Sequence, residues 1–323
     1  MNLLTLFIFL FILFVIELGY FRIAYKYRII DHPNQRSSHF KVTIRGGGII
    51  FCIVMLLSPF YIGWQYGYFL SGLLLISLIS FTDDIKPISN KVRIGFHLGA
   101  VALLFNQLGV YSLSLYWILF AFIFVIGIIN AINFMDGING ITGGFGLVTL
   151  ITFYYINKTI ITFTNTNLLI LPILAVLVFN FFNFRRKAKC FAGDVGSVSL
   201  GFIILFFLLQ LIIKTNNFNY LFLLMVYGLD TITTILFRII RKENIFQAHR
   251  SHFYQFWANE KKAPHLMVAA LYTIAQCIVN LIVINISALS VVNLILMTIV
   301  SVVIFVLIRL MTEGATRIFA VRA

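Results

Sequence analysis

Apolar runs about as long as a bilayer-spanning helix recur from one end of this 323-residue chain to the other. A helix needs roughly 18 or more such residues to cross the hydrocarbon. Inside it every backbone N–H and C=O must find a partner within the spanning structure, which leaves only helices and closed barrels. The runs are continuous, whereas barrel strands are short and alternate. The chain therefore reads as an all-α polytopic membrane protein with a single membrane-embedded domain over 1–323. About eleven helices are expected, at roughly 3–23, 47–63, 68–82, 94–109, 113–132, 140–157, 167–183, 196–213, 218–238, 266–286 and 289–310. Residues 1–20 carry no basic segment before the apolar run and no small-residue cleavage site, so a retained helix is expected there instead of a signal peptide.

The charges set an orientation. If 24–46 is cytoplasmic, alternation places 22 of the 24 Lys and Arg on the cytoplasmic side and leaves only Lys158 and Lys214 outside. That asymmetry is the positive-inside pattern. It puts the N-terminus outside and the C-terminus in the cytoplasm, with cytoplasmic loops at about 24–46, 83–93, 133–140, 184–195 and 239–265. It also accounts for the net charge of +14 without a nucleic-acid partner. Cys52, Cys190 and Cys277 show no metal-ligand or disulfide spacing. The acids gather on the same face: Asp31, Asp83, Asp84, Asp136, Asp194, Glu243 and Glu260 all fall at cytoplasmic helix ends or between them, and only Glu17 and Asp230 lie inside apolar runs.

Five polar stretches interrupt the helices on that face. In 130–140, Asn133 and Asp136 share a helix face and are followed by Asn139 and two glycines. The bland reading is a helix stop and turn. Asp83 and Asp84 adjoin at a helix end, followed by Lys86, Lys91 and Arg93; paired carboxylates raise each other's proton affinity unless a cation intervenes. Mg²⁺ suits such a pair, whereas a capped turn with lysine counter-ions would be merely structural. Arg36-Ser-Ser-His39, then Thr43-Ile-Arg45-Gly-Gly-Gly48, offers positive charge and three glycines opening a helix, a geometry that favours anions. A basic loop beside lipid headgroups is the alternative. Gly193-Asp194-Val-Gly196-Ser197 heads another helix, where Asp194 is either an N-cap or a metal ligand. Finally, His249-Arg250-Ser-His252-Phe-Tyr-Gln lies in a loop that also holds Phe253, Tyr254, Phe256 and Trp257, and a short interfacial helix is expected there. His249 and His252 lack a third zinc ligand at suitable spacing. Asp230, eight residues before Arg238, reads as a structural or a catalytic group.

Taken in order, Asp-Asp, Asn-x-x-Asn-x-x-Asp-Gly, Gly-Asp-x-Gly-Ser and a His-containing loop resemble the polyprenyl-phosphate N-acetylhexosamine-1-phosphate transferases, glycosyl transferase family 4. The resemblance runs from about Asp31 to Gln255. Asp31-His-Pro-Asn-x-Arg-Ser-Ser-His and His-Arg-Ser-His-x-Tyr-Gln look most like the branch that initiates O-antigen or capsule with UDP-FucNAc or UDP-QuiNAc.

The family implies transfer of an N-acetylhexosamine-1-phosphate from a UDP-sugar to undecaprenyl phosphate at the inner membrane of a bacterium. UMP is released and Mg²⁺ is needed, with Mn²⁺ as a substitute. Carried over by motif, Asp83, Asp84 and Asp136 take the catalytic places, and Asp194 and Asn133 hold the metal. His249, Arg250 and His252, together with Thr43, Arg45, Lys91 and Asn139, meet the substrates. Relatives commonly read Asp-Gly-x-Asp-Gly where this chain has Asp136-Gly-Ile-Asn139-Gly; the amide loses the charge, so Asn139 is assigned to the donor and not to the metal. A UDP-GlcNAc-specific transferase of the same superfamily is the nearest alternative. A transporter or flippase is the rival of a different class, disfavoured because the polar groups sit at one face and not at the midplane. A homodimer is compatible with the composition.

Overall fold

The computed structural model describes residues 1–31, 42–244 and 250–320. In order they form α1 (Leu3–Lys26), β1 (Ile30–Asp31), β2 (Thr43–Ile44), α2 (Ile49–Leu56), α3 (Pro59–Ile62), α4 (Gly67–Ile85), α5 (Asn90–Leu108), α6 (Leu115–Met135), α7 (Ile141–Thr159), α8 (Thr166–Asn183), α9 (Gly193–Thr215), α10 (Met225–Ile240), α11 (Phe253–Gln255), α12 (His265–Asn285), α13 (Val291–Glu313) and α14 (Ala315–Phe319). Helix occupies all eleven expected stretches. Eight helical segments among the described residues are long and apolar enough to cross a membrane: α1, α4, α6, α8, α9, Phe218–Ile240, α12 and α13.

The stretch expected as one helix over 47–63 breaks at Ser58 into α2 and α3, with Pro59 at the first position of the second piece, where a missing N–H costs nothing. Residues Phe218–Leu224 enter α10 as a tighter 3₁₀ turn. Two boundaries move in a way that matters. Helix α4 runs on to Ile85 and takes Asp83 and Asp84 into its last turn, and α9 begins at Gly193, so Asp194 lies in its first turn. These aspartates stand on helix ends and not in loops.

Helix α9 is the axis of the bundle. It is apolar around its whole circumference, the signature of a helix surrounded by others, and every residue from 195 to 208 is buried. It packs on α2, α4, α6 and α7. Small residues permit close crossings where lipid offers no hydrophobic drive for association. A Cβ at Gly196 would come within 2.6 Å of the Gly48 Cα. Farther out, α4 and α9 meet through stacked Phe69 and Phe206, centroids 3.9 Å apart, and Phe145 stacks on Tyr227 at the same separation. Helix α13 is the opposite case: only Arg309 and Glu313 are fully buried on it, Leu294, Met297 and Phe305 lean on the core, and most of its apolar side chains are exposed.

Between α1 and α2, β1 and β2 pair antiparallel, and Ile44 bridges to Cys190. The chain after β2 then lies against the approach to α9: the Gly47 and Gly48 N–H groups donate to the Phe191 and Ala192 carbonyls. A side chain at Gly47 would strike Cys190 Sγ at 2.6 Å. The triple glycine is therefore a thin place where two backbones touch, and Gly47 and Gly48 spend their N–H groups there instead of cradling an anion.

Candidate active site

Asp84 organises the site. Its side chain is fully buried, and both oxygens are occupied. Oδ1 accepts from Arg45 Nε at 2.6 Å and from the Asp194 N–H at 2.9 Å; Oδ2 accepts from the Val195 N–H at 2.9 Å. The first turn of a helix has N–H groups without helical partners, and they carry partial positive charge. Asp84 satisfies two of them and so docks the end of α4 onto the start of α9. Gly193, at φ +71°, makes room: a Cβ there would lie 2.6 Å from Asp84 Oδ2.

Two arginines thread the remaining carboxylates. Arg45 Nη2 lies 3.4 Å from Asp194 Oδ1, and Arg93 Nη1 lies 2.9 Å from Asp83 Oδ2 and 3.7 Å from Asp194 Oδ2. Asp83 also accepts from the Ile88 N–H at 2.6 Å, closing the turn after α4. The adjacent aspartates thus diverge: Asp84 faces α9, while Asp83 faces the turn and α5. Burial opposes the Arg45 charge, but Asp84, Asp194 and Asp31 outweigh it and raise its pKa. Asp194 is held by its arginines only at 3.4 and 3.7 Å, its carboxyl also meets Asp83, and its side chain is partly exposed.

Helix α6 delivers the other acid. Asn133 Oδ1 accepts from Ser197 Oγ at 2.5 Å, joining the end of α6 to the first turn of α9. Asp136 follows as the C-cap of α6. Burial, and to a lesser degree the Asp84 charge, push the pKa of its half-buried carboxyl up to about 6 against the Thr142 hydroxyl and the pull of Arg45. Asn139 points elsewhere, donating to the carbonyls of Arg185 at 3.0 Å and Arg186 at 3.5 Å, so it holds the basic loop in place.

The loop after α10 closes over this centre. Asp230, fully buried, accepts from the Phe253 and Tyr254 N–H groups at 2.9 and 3.2 Å and from Tyr272 Oη at 2.7 Å, and its Oδ1 lies 3.3 Å from His252 Nδ1. It is thus the cap of α11 and the anchor of the His segment. Tyr254 Oη in turn donates to the Phe134 carbonyl at 3.0 Å, and Gly137 leaves room for it: a Cβ there would lie 2.2 Å from the hydroxyl. The expected helix in this loop exists over 253–260, but Phe253, Tyr254 and Phe256 are buried against the protein and do not lie along the interface.

A groove of about 1470 Å³, lined by none of the site's acids, includes Arg28, Thr43, Asn139, Arg186, Lys187 and Lys189 in its lining. Among the residues named from the sequence, Asp83, Asp84, Asp194, Arg45, Asn133 and Asp136 thus come together, and Thr43 and Asn139 line the groove. Lys91 is exposed on the first turn of α5. Arg250 is half-buried before the His segment, and His252 is buried. His249 lies outside the described residues, as do Arg36 and His39.

Sequence reasoning missed the work of Ser197, Tyr254 and Arg93. All three lie within or next to the quoted motifs, yet their partners are 64, 120 and 10 residues away. No group of three or more His, Cys, Asp or Glu among the described residues forms a ready metal cage. A cage is not required for Mg²⁺, which is commonly held by one or two carboxylates and completed by phosphates and water. Asp194, loosely paired, and Asp136, with its charge disfavoured, supply hard oxygen of that kind, so the donor set fits.

A helical membrane bundle with acids and arginines gathered at its helix ends defines a class that handles charged groups at a membrane surface. Residues 66–212 match the family model "Glycosyl transferase family 4". That region contains all four acids of the site and stops before the His segment. The chain is 26% identical over 265 residues to the probable undecaprenyl-phosphate N-acetylglucosaminyl 1-phosphate transferase of Bacillus subtilis, spanning 72% of this chain and 70% of that protein. It is 28% identical over 137 residues to the phospho-N-acetylmuramoyl-pentapeptide-transferase of Fervidobacterium nodosum, spanning 39% of this chain and 42% of that one. These similarities support the family resemblance drawn from the motifs.

Proposed function

We propose that the protein is a polyprenyl-phosphate sugar-1-phosphate transferase of a bacterial cytoplasmic membrane, moving an N-acetylhexosamine-1-phosphate from a UDP-sugar to undecaprenyl phosphate with release of UMP. The observation that carries this reading is the convergence of Asp83, Asp84, Asp136 and Asp194 with Arg45 and Arg93 at helix ends. A lipid-borne phosphate reaches a membrane surface from the bilayer and a nucleotide sugar reaches it from water, so a centre at the helix ends is where they meet. The distribution of 22 against 2 basic residues supports a cytoplasmic face for that surface.

Each residue has a task that follows from its surroundings. The groove residues Arg186, Lys187 and Lys189 attract the anionic donor. By their motif His249, Arg250 and His252 are assigned to its diphosphate; of these Arg250 is half-buried and His252 is turned to Asp230, so Arg250 is the one that would reach it. Arg45 and Arg93 offset charge on the transferring phosphoryl group. Asp194 and Asp136, with Asn133 beside them, would hold Mg²⁺. When bound, it would neutralise diphosphate charge, the main contribution such catalysis needs. A phosphate monoester with a second pKa of about 6 is largely dianionic at pH 7. Asp83 therefore has little deprotonation to do, and it orients the acceptor. Asp84 touches neither substrate: its oxygens are committed to α9 and Arg45.

For the donor, the relative's name supports UDP-GlcNAc, while the Asp31 and His-loop motifs support UDP-FucNAc or UDP-QuiNAc and an O-antigen or capsule pathway. The test is UMP release by the purified full chain with undecaprenyl phosphate, Mg²⁺ and each of the three donors. Release with one of them is expected. No UMP from any of the three sinks the reading for these donors.

A further inference from the structure

The polar end of α13, Arg309 and Glu313, leads back to the His segment. Arg309 is 1% exposed, whereas of the rest of its helix only Glu313 is buried; Leu294, Met297 and Phe305 are half-buried, Phe305 with its ring edge-on to Phe253 at 5.5 Å. An arginine presents five donors in a rigid fork, and four contacts of this one are directed. Nε donates to Glu313 at 2.5 Å, Nη1 to the hydroxyls of Thr233 at 3.0 Å and Thr234 at 2.8 Å, and Nη2 to the Ser251 carbonyl at 2.8 Å. Thr234 in turn donates to Asp230 Oδ1 at 3.2 Å. The guanidinium also lies over the rings of Phe237 and Phe253, at 4.9 and 5.8 Å.

The other end of the same segment is held by the same helices. Glu313 pairs with Arg317, whose guanidinium forms a fork with Glu260 at 2.6–3.0 Å. Arg241 closes the frame, donating to the Ile318 carbonyl at 3.1 Å and to Ser251 Oγ at 3.3 Å. Residues 251–260 are thus gripped at Ser251 and at Glu260 from α13 and α14. Apolar contact gives little drive for helix association in lipid, so this polar end is what docks α13.

We propose that Arg309 is a positioning residue for donor binding: from behind the His segment it fixes the Ser251 carbonyl and, through Thr234, the Asp230 carboxylate, and so sets where His252 and Tyr254 stand over the carboxylate centre. It touches no substrate. The inference rests on the proposed transferase reading for its kinetic consequence, but its structural consequence can be read without any substrate.

The experiment uses the full chain in detergent with Arg309→Met and Arg309→Lys, and Asn293→Ala at the exposed far end of α13 as the control. Two readouts are taken: hydrogen exchange of the 251–257 amides, and separate KM values for the UDP-sugar and for undecaprenyl phosphate. Because an ångström of misplacement can cost up to about 100-fold, Arg309→Met is expected to raise the donor KM about tenfold or more, leave the acceptor KM within about twofold, and speed exchange at Phe253 and Tyr254 but not at Val195. Arg309→Lys, which keeps the charge and loses the fork, falls between Met and wild type. Asn293→Ala matches wild type.

Unchanged exchange in 251–257 overturns the proposal. So does a donor KM that does not move, or one that rises only in step with the acceptor KM. Should Arg309→Met fail to accumulate, Thr234→Val removes a single link and is expected to show a donor effect of about threefold, again with faster exchange. A wild-type protein that releases no UMP counts against the transferase reading, and the exchange measurement then decides the positioning role by itself.

Discussion

Asp84 and Asp230 are built alike and sit in opposite surroundings. Each is a fully buried carboxylate that accepts from two consecutive backbone N–H groups at the start of a helical segment, Asp194 and Val195 in one case and Phe253 and Tyr254 in the other. Each has a cationic or ring-nitrogen partner, Arg45 or His252. Around Asp84, however, the partners are charged and partly open to water: Arg45, Arg93 and Asp194 keep 33%, 21% and 19% of their side-chain surface. Around Asp230 the partners are sealed, with Arg309 and His252 at 2% each. The same fastening therefore holds a partly open cluster of charges in one place and a sealed loop in the other. A buried aspartate is evidence of what it fastens, and only its neighbours show where the chemistry is.

The comparison breaks most sharply at Asp194. Asp194→Asn removes a charge that fastens nothing tightly, so UMP release should fall about 10³-fold, the scale of losing a preorganised electrostatic group, with the thermal midpoint nearly unchanged. A large drop in the midpoint would make Asp194 a structural acid like Asp84. Next comes the matched pair Asp84→Asn and Asp230→Asn. Each leaves a buried N–H facing an amide that cannot accept from both neighbours, at a cost of about 1–3 kcal/mol. Both should lower the midpoint. Asp84→Asn should impair turnover with either substrate saturating, whereas Asp230→Asn should raise the donor KM first. Identical kinetic profiles would erase the distinction between the two regions.

The two regions meet where Tyr254 Oη reaches the Phe134 carbonyl over Gly137. Gly137→Ala places a methyl where the hydroxyl stands, and the donor KM should rise several-fold, with loss of exchange protection at Tyr254 but not at Val195. Unaltered protection at Tyr254 would show that the joint does not matter.

Asp136 offers the smallest and most selective effect on stability. Folding raises its pKa from 3.8 to about 6, so the folded state holds this proton more tightly than the unfolded chain does. That contribution is complete below pH 3.8 and is lost as pH rises through about 6. Asp136→Asn never ionises and escapes the loss. Above pH 6 it should melt higher than wild type by about 2–4 °C, an increment for roughly 1 kcal/mol in a chain of this size, with the gap closing near pH 4 and activity reduced throughout. A gap that widens at low pH would reverse the sign and refute the burial argument.

Much of this was legible in the residues. The apolar runs located the helices because a bilayer imposes a length on them, and the one-sided acids pointed to the helix ends where Asp83, Asp84, Asp136 and Asp194 gather, because hydrocarbon excludes charge. What could not be read was the division of labour. Asp83 and Asp84 are neighbours in sequence and look like one metal-binding pair, yet successive side chains on a helix point about 100° apart. One of them closes a turn and the other docks α9. The triple glycine resembled an anion cradle because its true partner, the 190–196 segment, is more than 140 residues away. Asn139 resembled a donor contact in the same way; its amide holds the basic loop.

The central position of α9 bears on how the molecule comes to exist. Helices α2, α4, α6 and α7, which enclose it, all precede it in the chain. During synthesis they must wait, lipid-solvated, for the partner that fills the space between them. The first turn of α9 then brings Asp194 to Asp84 and Arg45, and the His segment, made later still, closes over the result. A chain ending before residue 193 would hold Asp83, Asp84 and Asp136 without the α9 N–H groups that Asp84 caps, so the acid cluster needs α9 to be complete.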